Sequence, residues 1–255
     1  MVKIDIVEKF ETFQRAPIVE AVIDIRSQAT IELTEEMVRE RVDAKIPEFV
    51  FLDSIREFHH EFKIEDGSPP SQIVKHLGWK GVRYRSKDER YIAQFNRDGF
   101  VLGRLEPYEN WENLFSETMR LWGIYRELTQ PVELSRVGLR YINRIRLPIG
   151  DFDFEKYLTA PPASPIGLAL PYTEFMHRET LAVMGHPYAI NLIKTLQPPP
   201  DTSEAFGLIL DIDVFTTELE NPAMESVPHR LAEMRWLKNK AFFGSVNDKS
   251  LKLFR

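Results

Sequence analysis

Arg136-Val137-Gly138-Leu139-Arg140-Tyr141-Ile142-Asn143-Arg144-Ile145-Arg146-Leu147 is the stretch that decides the fold. Side chains alternate faces along a strand. Read as a strand, it puts Val137, Leu139, Tyr141, Ile145 and Leu147 on one face. Arg136, Arg140, Arg144 and Arg146 fall on the other. Guanidinium groups this close repel one another unless carboxylates, phosphates or water compensate them. The stretch therefore predicts a half-buried strand whose polar face is a candidate binding surface.

Neighbouring segments extend the pattern. Val19 to Arg26 is β-branched and reads as a strand, with Glu20, Asp24 and Arg26 on one face. Asp211 and Asp213 share a face in the strand expected at Ala205–Thr217. If these faces coincide, the sheet carries a lattice of arginines and carboxylates. Arginines bind anions bidentately, and leftover carboxylates can hold a divalent cation. Arg136, Arg140, Arg144, Arg146, Asp24 and Glu20 are the candidate anion- or ligand-binding set. Asp211 and Asp213 are a weaker candidate metal pair. The lattice is loosely similar to the tunnel of triphosphate-processing enzymes, but Glu20, Asp24 and Arg26 lack the Glu-x-Glu-x-Lys opening of those enzymes.

Element order suggests a duplication. Thr34, followed by Glu35 and Glu36, opens a helix that Pro47 stops. Strands follow at about 56–65, 81–86, 90–96 and 100–105, the last two joined at Arg97-Asp98-Gly99. Asp66 to Pro70 is a loop. A long amphipathic helix spans Glu109–Leu128, with Trp111, Leu114, Phe115, Thr118, Trp122 and Tyr125 at helical spacing. The second half repeats this order: a strand at Arg136–Leu147, a short helix at Asp151–Leu158, and strands at Glu174–Met184, Tyr188–Leu196 and Ala205–Thr217. Pro198-Pro199-Pro200 is a rigid spacer before the last of these, and a helix from about Pro222 to Phe243 closes the half. The expectation is an α+β protein, one domain over 1–255. Two pseudo-repeats, about 16–130 and 131–248, build a curved antiparallel sheet with two long helices packed on one face. The other face is left for solvent, a ligand or a second subunit.

Composition narrows the function classes. The chain has 255 residues, 43% of them apolar and 28% charged, and a formal charge of -6. That acidity argues against a dedicated nucleic-acid binder. Arg83, Arg85, Lys87 and Arg90, with Tyr84 and Tyr91 between them, form a local basic strip, and solvated hairpin charge accounts for it. There is no cysteine, which removes thiolate metal sites and cysteine nucleophiles and fits a cytoplasmic protein. No apolar run approaches the roughly 20 residues of a membrane span. Gly-x-Ser-x-Gly, phosphate-binding glycine loops and His-Glu-x-x-His are all missing. His177 and Glu179 share a strand face but supply only two ligands.

Ala16-Pro17-Ile18-Val19-Glu20-Ala21 and Gly138-Leu139-Arg140-Tyr141-Ile142-Asn143 resemble an uncharacterised, sporadically distributed bacterial protein family. Tyr108-Glu109-Asn110-Trp111 fits its pattern, as do His229-Arg230-Leu231 and Phe242-Phe243. The resemblance covers nearly the whole chain. It implies a bacterial protein of a single architecture and carries no catalytic role or cofactor. Three function classes follow. The first is a binding or regulatory protein that takes a small anionic ligand or a protein partner on the polar sheet face. The second is a metal-assisted phosphohydrolase, with Asp211, Asp213 and Glu20 around a cation and Arg140 and Arg144 on phosphate. The third is a protein–protein module of a bacterial stress or defence system.

Overall fold

The computed structural model describes residues 2–63, 71–147, 153–165, 167, 170, 172–198, 205–218 and 226–255. The strands are β1 (Ile18–Ala29), β2 (Phe49–Lys63), β3 (Ser71–Ser86), β4 (Tyr91–Asn96), β5 (Gly99–Leu105), β6 (Pro131–Arg146), β7 (Met176–Ala182), β8 (Ala189–Gln197) and β9 (Gly207–Thr216). They form one nine-stranded sheet in the order β2-β3-β4-β5-β1-β6-β9-β8-β7. Every pairing is antiparallel. The sheet is open, so it encloses no tunnel of the triphosphate-enzyme kind. The helices are α1 (Glu35–Val42), α2 (Trp111–Thr129), α3 (Ser226–Ser245) and α4 (Asp248–Phe254).

The mid-chain stretch lies in β6, at the middle of the sheet between β1 and β9. Val137, Leu139, Tyr141 and Ile145 are buried, as are Ala21, Ile23 and Ile25 of β1 and Leu208, Leu210, Ile212 and Val214 of β9. Burial of this apolar face is the dominant favourable term in folding. α3 packs on β6 and β9, α2 on β5 and α1 on β3.

Local chemistry sets the helix limits. The Thr34 side chain accepts from the Met37 amide, and Glu35 and Glu36 occupy the positive end of α1. α1 ends at Val42 with Asp43 as its C-cap, and one further turn, with the Lys45 and Ile46 amides on the Val42 carbonyl, leads to Pro47. Asn110 caps α2 by accepting from Asn113, and Gln130 ends it in the left-handed conformation just before Pro131. Along α2, Leu114, Thr118, Trp122 and Tyr125 are buried, whereas Trp111 and Phe115 are only partly so. On α3, Val227, Leu231, Met234 and Leu237 are buried.

Some elements differ from expectation. β2 begins at Phe49, and β3 is far longer than the 81–86 segment. Only a 3-10 turn at Phe154–Lys156 stands where the second short helix was expected, and α4 had no sequence signal in the reading above. The loop at Asp66–Pro70, the start of the helix at Asp151, the Pro199-Pro200 part of the spacer and the helix start at Pro222 lie outside the described residues. Gly99 follows the tight turn with φ +149, and a Cβ there would sit 2.3 Å from the Ile25 carbonyl oxygen. Only glycine lets β5 run this close to β1.

Candidate functional site

Two surfaces meet at β6, one on each side of the sheet. On the polar side, Arg136 bridges Asp24 of β1 and Asp213 of β9, with Nη2 at 3.0 and 3.1 Å from the two Asp213 oxygens. Its guanidinium folds back over Gly138, where a Cβ would lie 2.4 Å from Nη1. Gly138 is thus the space in which the bridge forms. Asp24 also accepts from Arg26 at 3.3 Å, and Asn191 donates to Asp213 at 3.3 Å. Arg140 binds Asp211 bidentately, at 2.9 and 2.6 Å. This hydrogen-bonded pairing, against the opposing pull of desolvation, raises the Arg140 pKa above the ordinary arginine value.

The candidate residues are therefore brought together, mostly by one another. Asp24 serves Arg136 and Arg26. Asp211 and Asp213 each engage an arginine, and among the described residues no group of three or more His, Asp or Glu side chains could hold a metal. Arg144 lies along Gly207, its Nε buried without a hydrogen-bond partner. Arg146 is exposed. In the basic hairpin, Arg83 pairs with Asp53 and Tyr84 is buried on Asp43, so Tyr84 offers no stacking face.

Loss of the bridge has a defined consequence. Arg136→Gln should lower the unfolding free energy by about 1–3 kcal/mol, because Asp24 and Asp213 are left partly buried without their shared cation. Urea unfolding monitored by circular dichroism measures this. An unchanged midpoint would show that the bridge contributes nothing to the folded state.

The other side of β6 carries a site that the arginine pattern did not reveal. A cavity of about 490 Å³ lies between the N-terminal segment, the start of α2, β6 and α3. Its size suits a small organic molecule. Phe10 and Phe13 of the N-terminal segment wall one side, with Phe10 stacked on Phe243 at 5.6 Å and Phe13 edge-on to Phe254 at 5.5 Å. Trp111 and Trp236 add to the aromatic lining. Tyr108 and Tyr141 share a hydroxyl–hydroxyl hydrogen bond of 2.8 Å. Burial pushes the Tyr108 hydroxyl up to about 12 and the Tyr141 hydroxyl well above its ordinary value. Both phenols stay protonated at neutral pH. Asn143 also faces the cavity, while its amide nitrogen donates to the Leu210 carbonyl at 2.9 Å.

Two cations of α3, Arg235 and Lys238, stand three residues apart on the cavity wall. That spacing places them on one helix face. Lys238 Nζ lies 4.0 Å from the Tyr141 ring centroid, and the Arg235 guanidinium is 5.3 Å from the Trp111 ring. Desolvation first, and the Arg235 charge second, lower the Lys238 pKa from 10.5 to about 7. The side chain is densely surrounded by protein yet keeps part of its surface open to the cavity.

The cavity carboxylates all answer to other partners. Glu8 accepts from Trp236 Nε1 and Lys240 Nζ, each at 2.6 Å. Glu11 binds Arg255 at 2.7 and 2.9 Å. Glu109 accepts from the buried Arg104 at 2.8 Å, and Glu112 is 3.7 Å from Arg235. Lys238 has Asn239 Oδ1 at 2.5 Å as its polar neighbour and no carboxylate among the described residues within ion-pair distance.

Residues from several distant parts of the chain meet here. Ala16, Pro17 and Ile18 line the cavity, as do Tyr108 to Trp111, Tyr141 and Asn143, and Phe242 and Phe243. The molecule is thus an open antiparallel α+β sheet protein with an aromatic, cation-bearing cavity on the side of the sheet where α3 packs. No protein-family model matches the chain, and no curated protein matches it. Among the described residues, no helix is long and apolar enough to cross a membrane.

Proposed function

We propose that this chain is a binding or regulatory protein whose ligand site is the helix-side cavity. The ligand is a small molecule with an aromatic body and an anionic group. One observation carries this reading: Arg235 and Lys238 enter an aromatic cavity in which Glu8, Glu11 and Glu109 are held by other partners and Glu112 reaches only Arg235, at 3.7 Å. Aromatic walls with a few convergent polar groups are what small-ligand sites need. A cation in a site of reduced dielectric attracts an anion far more strongly than one in water.

The polar sheet face is a second reading, as a docking surface for an anion or a protein partner, including a second copy of the chain. Arg144 and Arg146, for which no carboxylate partner stands among the described residues, favour it. The phosphohydrolase reading needs Asp211 and Asp213 free for a cation, and their arginine partners weigh against it. Two further elements belong to the proposal. First, the two halves are pseudo-repeats related about the β1–β6 pair, each carrying one of the two long helices on the same side of the sheet. In each half the first strand is central, the last strand lies beside it, and the middle strands run outward, which supports a duplication. Second, the chain is a cytoplasmic member of the bacterial family it resembles.

Thermal melting at pH 6.5 tests the ligand site, because a ligand stabilises the state it binds. 4-Methylbenzoate and indole-3-carboxylate at millimolar concentration should raise the melting temperature, with inorganic phosphate and magnesium as comparisons. A response to phosphate and magnesium alone would move the site to the sheet face.

A further inference from the structure

We propose that Lys238 is a reactive amine that captures an aldehyde or keto group of the cavity's ligand as a reversible imine. This deepens, and rests on, the reading of the cavity as a ligand site. The geometry has three parts. Nζ opens onto the cavity beside the Tyr141 ring. Glu8, Glu11, Glu109 and Glu112 are bound to Trp236 and Lys240, to Arg255, to Arg104 and to Arg235 in turn. Arg235 stands one helical turn away to hold an anionic group of the same ligand.

The groups facing the amine agree with this. From α3 comes the Arg235 charge; from β6 comes the Tyr141 hydroxyl and from the loop before α2 the Tyr108 hydroxyl, both protonated, with the engaged Glu109; from the N-terminal segment come Lys9 and the engaged Glu8 and Glu11; from α2 comes Glu112, likewise engaged. None places an uncommitted anion at Nζ. A desolvated lysine beside another cation is an activated nucleophile. At pH 7.5 an ordinary lysine is neutral in about one molecule in 1,000. The lowered Lys238 pKa, about 7, makes its neutral form far more abundant there than that.

The step balances without an added oxidant or reductant. The neutral amine donates its electron pair to the carbonyl carbon, and the carbon–oxygen π bond opens onto oxygen. One nitrogen proton passes to that oxygen, giving a carbinolamine. Loss of the hydroxyl as water, with the second nitrogen proton leaving, forms the carbon–nitrogen double bond.

The test uses two probes of one shape. 4-Carboxybenzaldehyde can form the imine, and 4-methylbenzoate cannot. The intact protein is incubated at pH 7.5 with limiting aldehyde and sodium cyanoborohydride, which reduces an imine to a stable amine, and the adduct is mapped by peptide mass spectrometry. Lys238 should carry at least tenfold more label than any other lysine, and 4-methylbenzoate should compete the label away. Lys238→Met should lose that label and keep the slow labelling of surface lysines. If 4-methylbenzoate binds but Lys238 is labelled no faster than surface lysines, the imine inference fails and the cavity reading stands. If neither probe binds, both fail.

Discussion

Alanine at Trp122 is expected to lower the unfolding free energy by about 3–5 kcal/mol, the usual cost of truncating a buried aromatic residue. Trp122 is 2% exposed and stacks on Tyr125 at 5.2 Å with an interplanar angle of 14°. Tyr125 is itself fully buried, so the space left behind cannot close by a simple swing of its neighbour. The indole nitrogen is buried without a hydrogen-bond partner. Trp122→Phe, which removes that polar atom and keeps most of the volume, should therefore cost much less than Trp122→Ala. Denaturant unfolding of the two variants measures the difference, and equal costs would remove the packing argument.

The second large effect concerns Lys238 and has the opposite sign. Its folded value of about 7 lies below the 10.5 of an ordinary lysine. The folded state therefore holds this proton more weakly than the unfolded chain does. Below about pH 7 both states are protonated and the folded state carries the full cost. Between about 7 and 10.5 only the unfolded chain keeps the proton, so this group's contribution to stability rises with pH. Above 10.5 the cost is gone. Lys238→Met should thus stabilise the protein at pH 6 by about 2–4 kcal/mol, after allowing for contact with solvent through the cavity. The gain should shrink steadily toward pH 10. Melting curves of both proteins across this range give the answer. A gain independent of pH would mean that packing, and not the buried charge, sets the difference. A stabilising loss of this kind is what a functional group held at the expense of stability produces.

Strand alternation was the most legible part of the chain. Val137, Leu139, Tyr141 and Ile145 turn inward and the arginines outward because the period of a strand is fixed by geometry. The caps at Thr34 and Asn110 follow from local hydrogen bonding in the same way. The early end of α1 was not legible, since one further turn through Lys45 and Ile46 carries the chain on to Pro47, where the sequence places the stop. The β1–β6–β9 register, which gives Arg136 two aspartates and brings Arg144 none among the described residues, is a long-range property. Pairing decided it, not the spacing within β6.

The cavity was hidden for a related reason. Tyr141 is correctly read as a core-facing residue, but no local pattern says that its hydroxyl meets Tyr108. Phe10 and Phe13 precede the first strand, outside any periodic element, and their partners Phe243 and Phe254 lie at the far end of the chain. Lys238 sits within a helix whose apolar positions drew attention first. Its signal was the pairing with Arg235 three residues earlier, two cations flanked by the buried Met234 and Leu237.

The most direct test of where the function resides is a calorimetric titration of 4-methylbenzoate at pH 6 into the wild type, Lys238→Met and Arg140→Gln. Lowering the pH to 6 favours the cationic form of Lys238. The account predicts binding to the wild type, at least tenfold weaker binding to Lys238→Met, and unchanged affinity in Arg140→Gln. Binding that survives in Lys238→Met and is lost in Arg140→Gln, or no binding to the wild type at all, would contradict it.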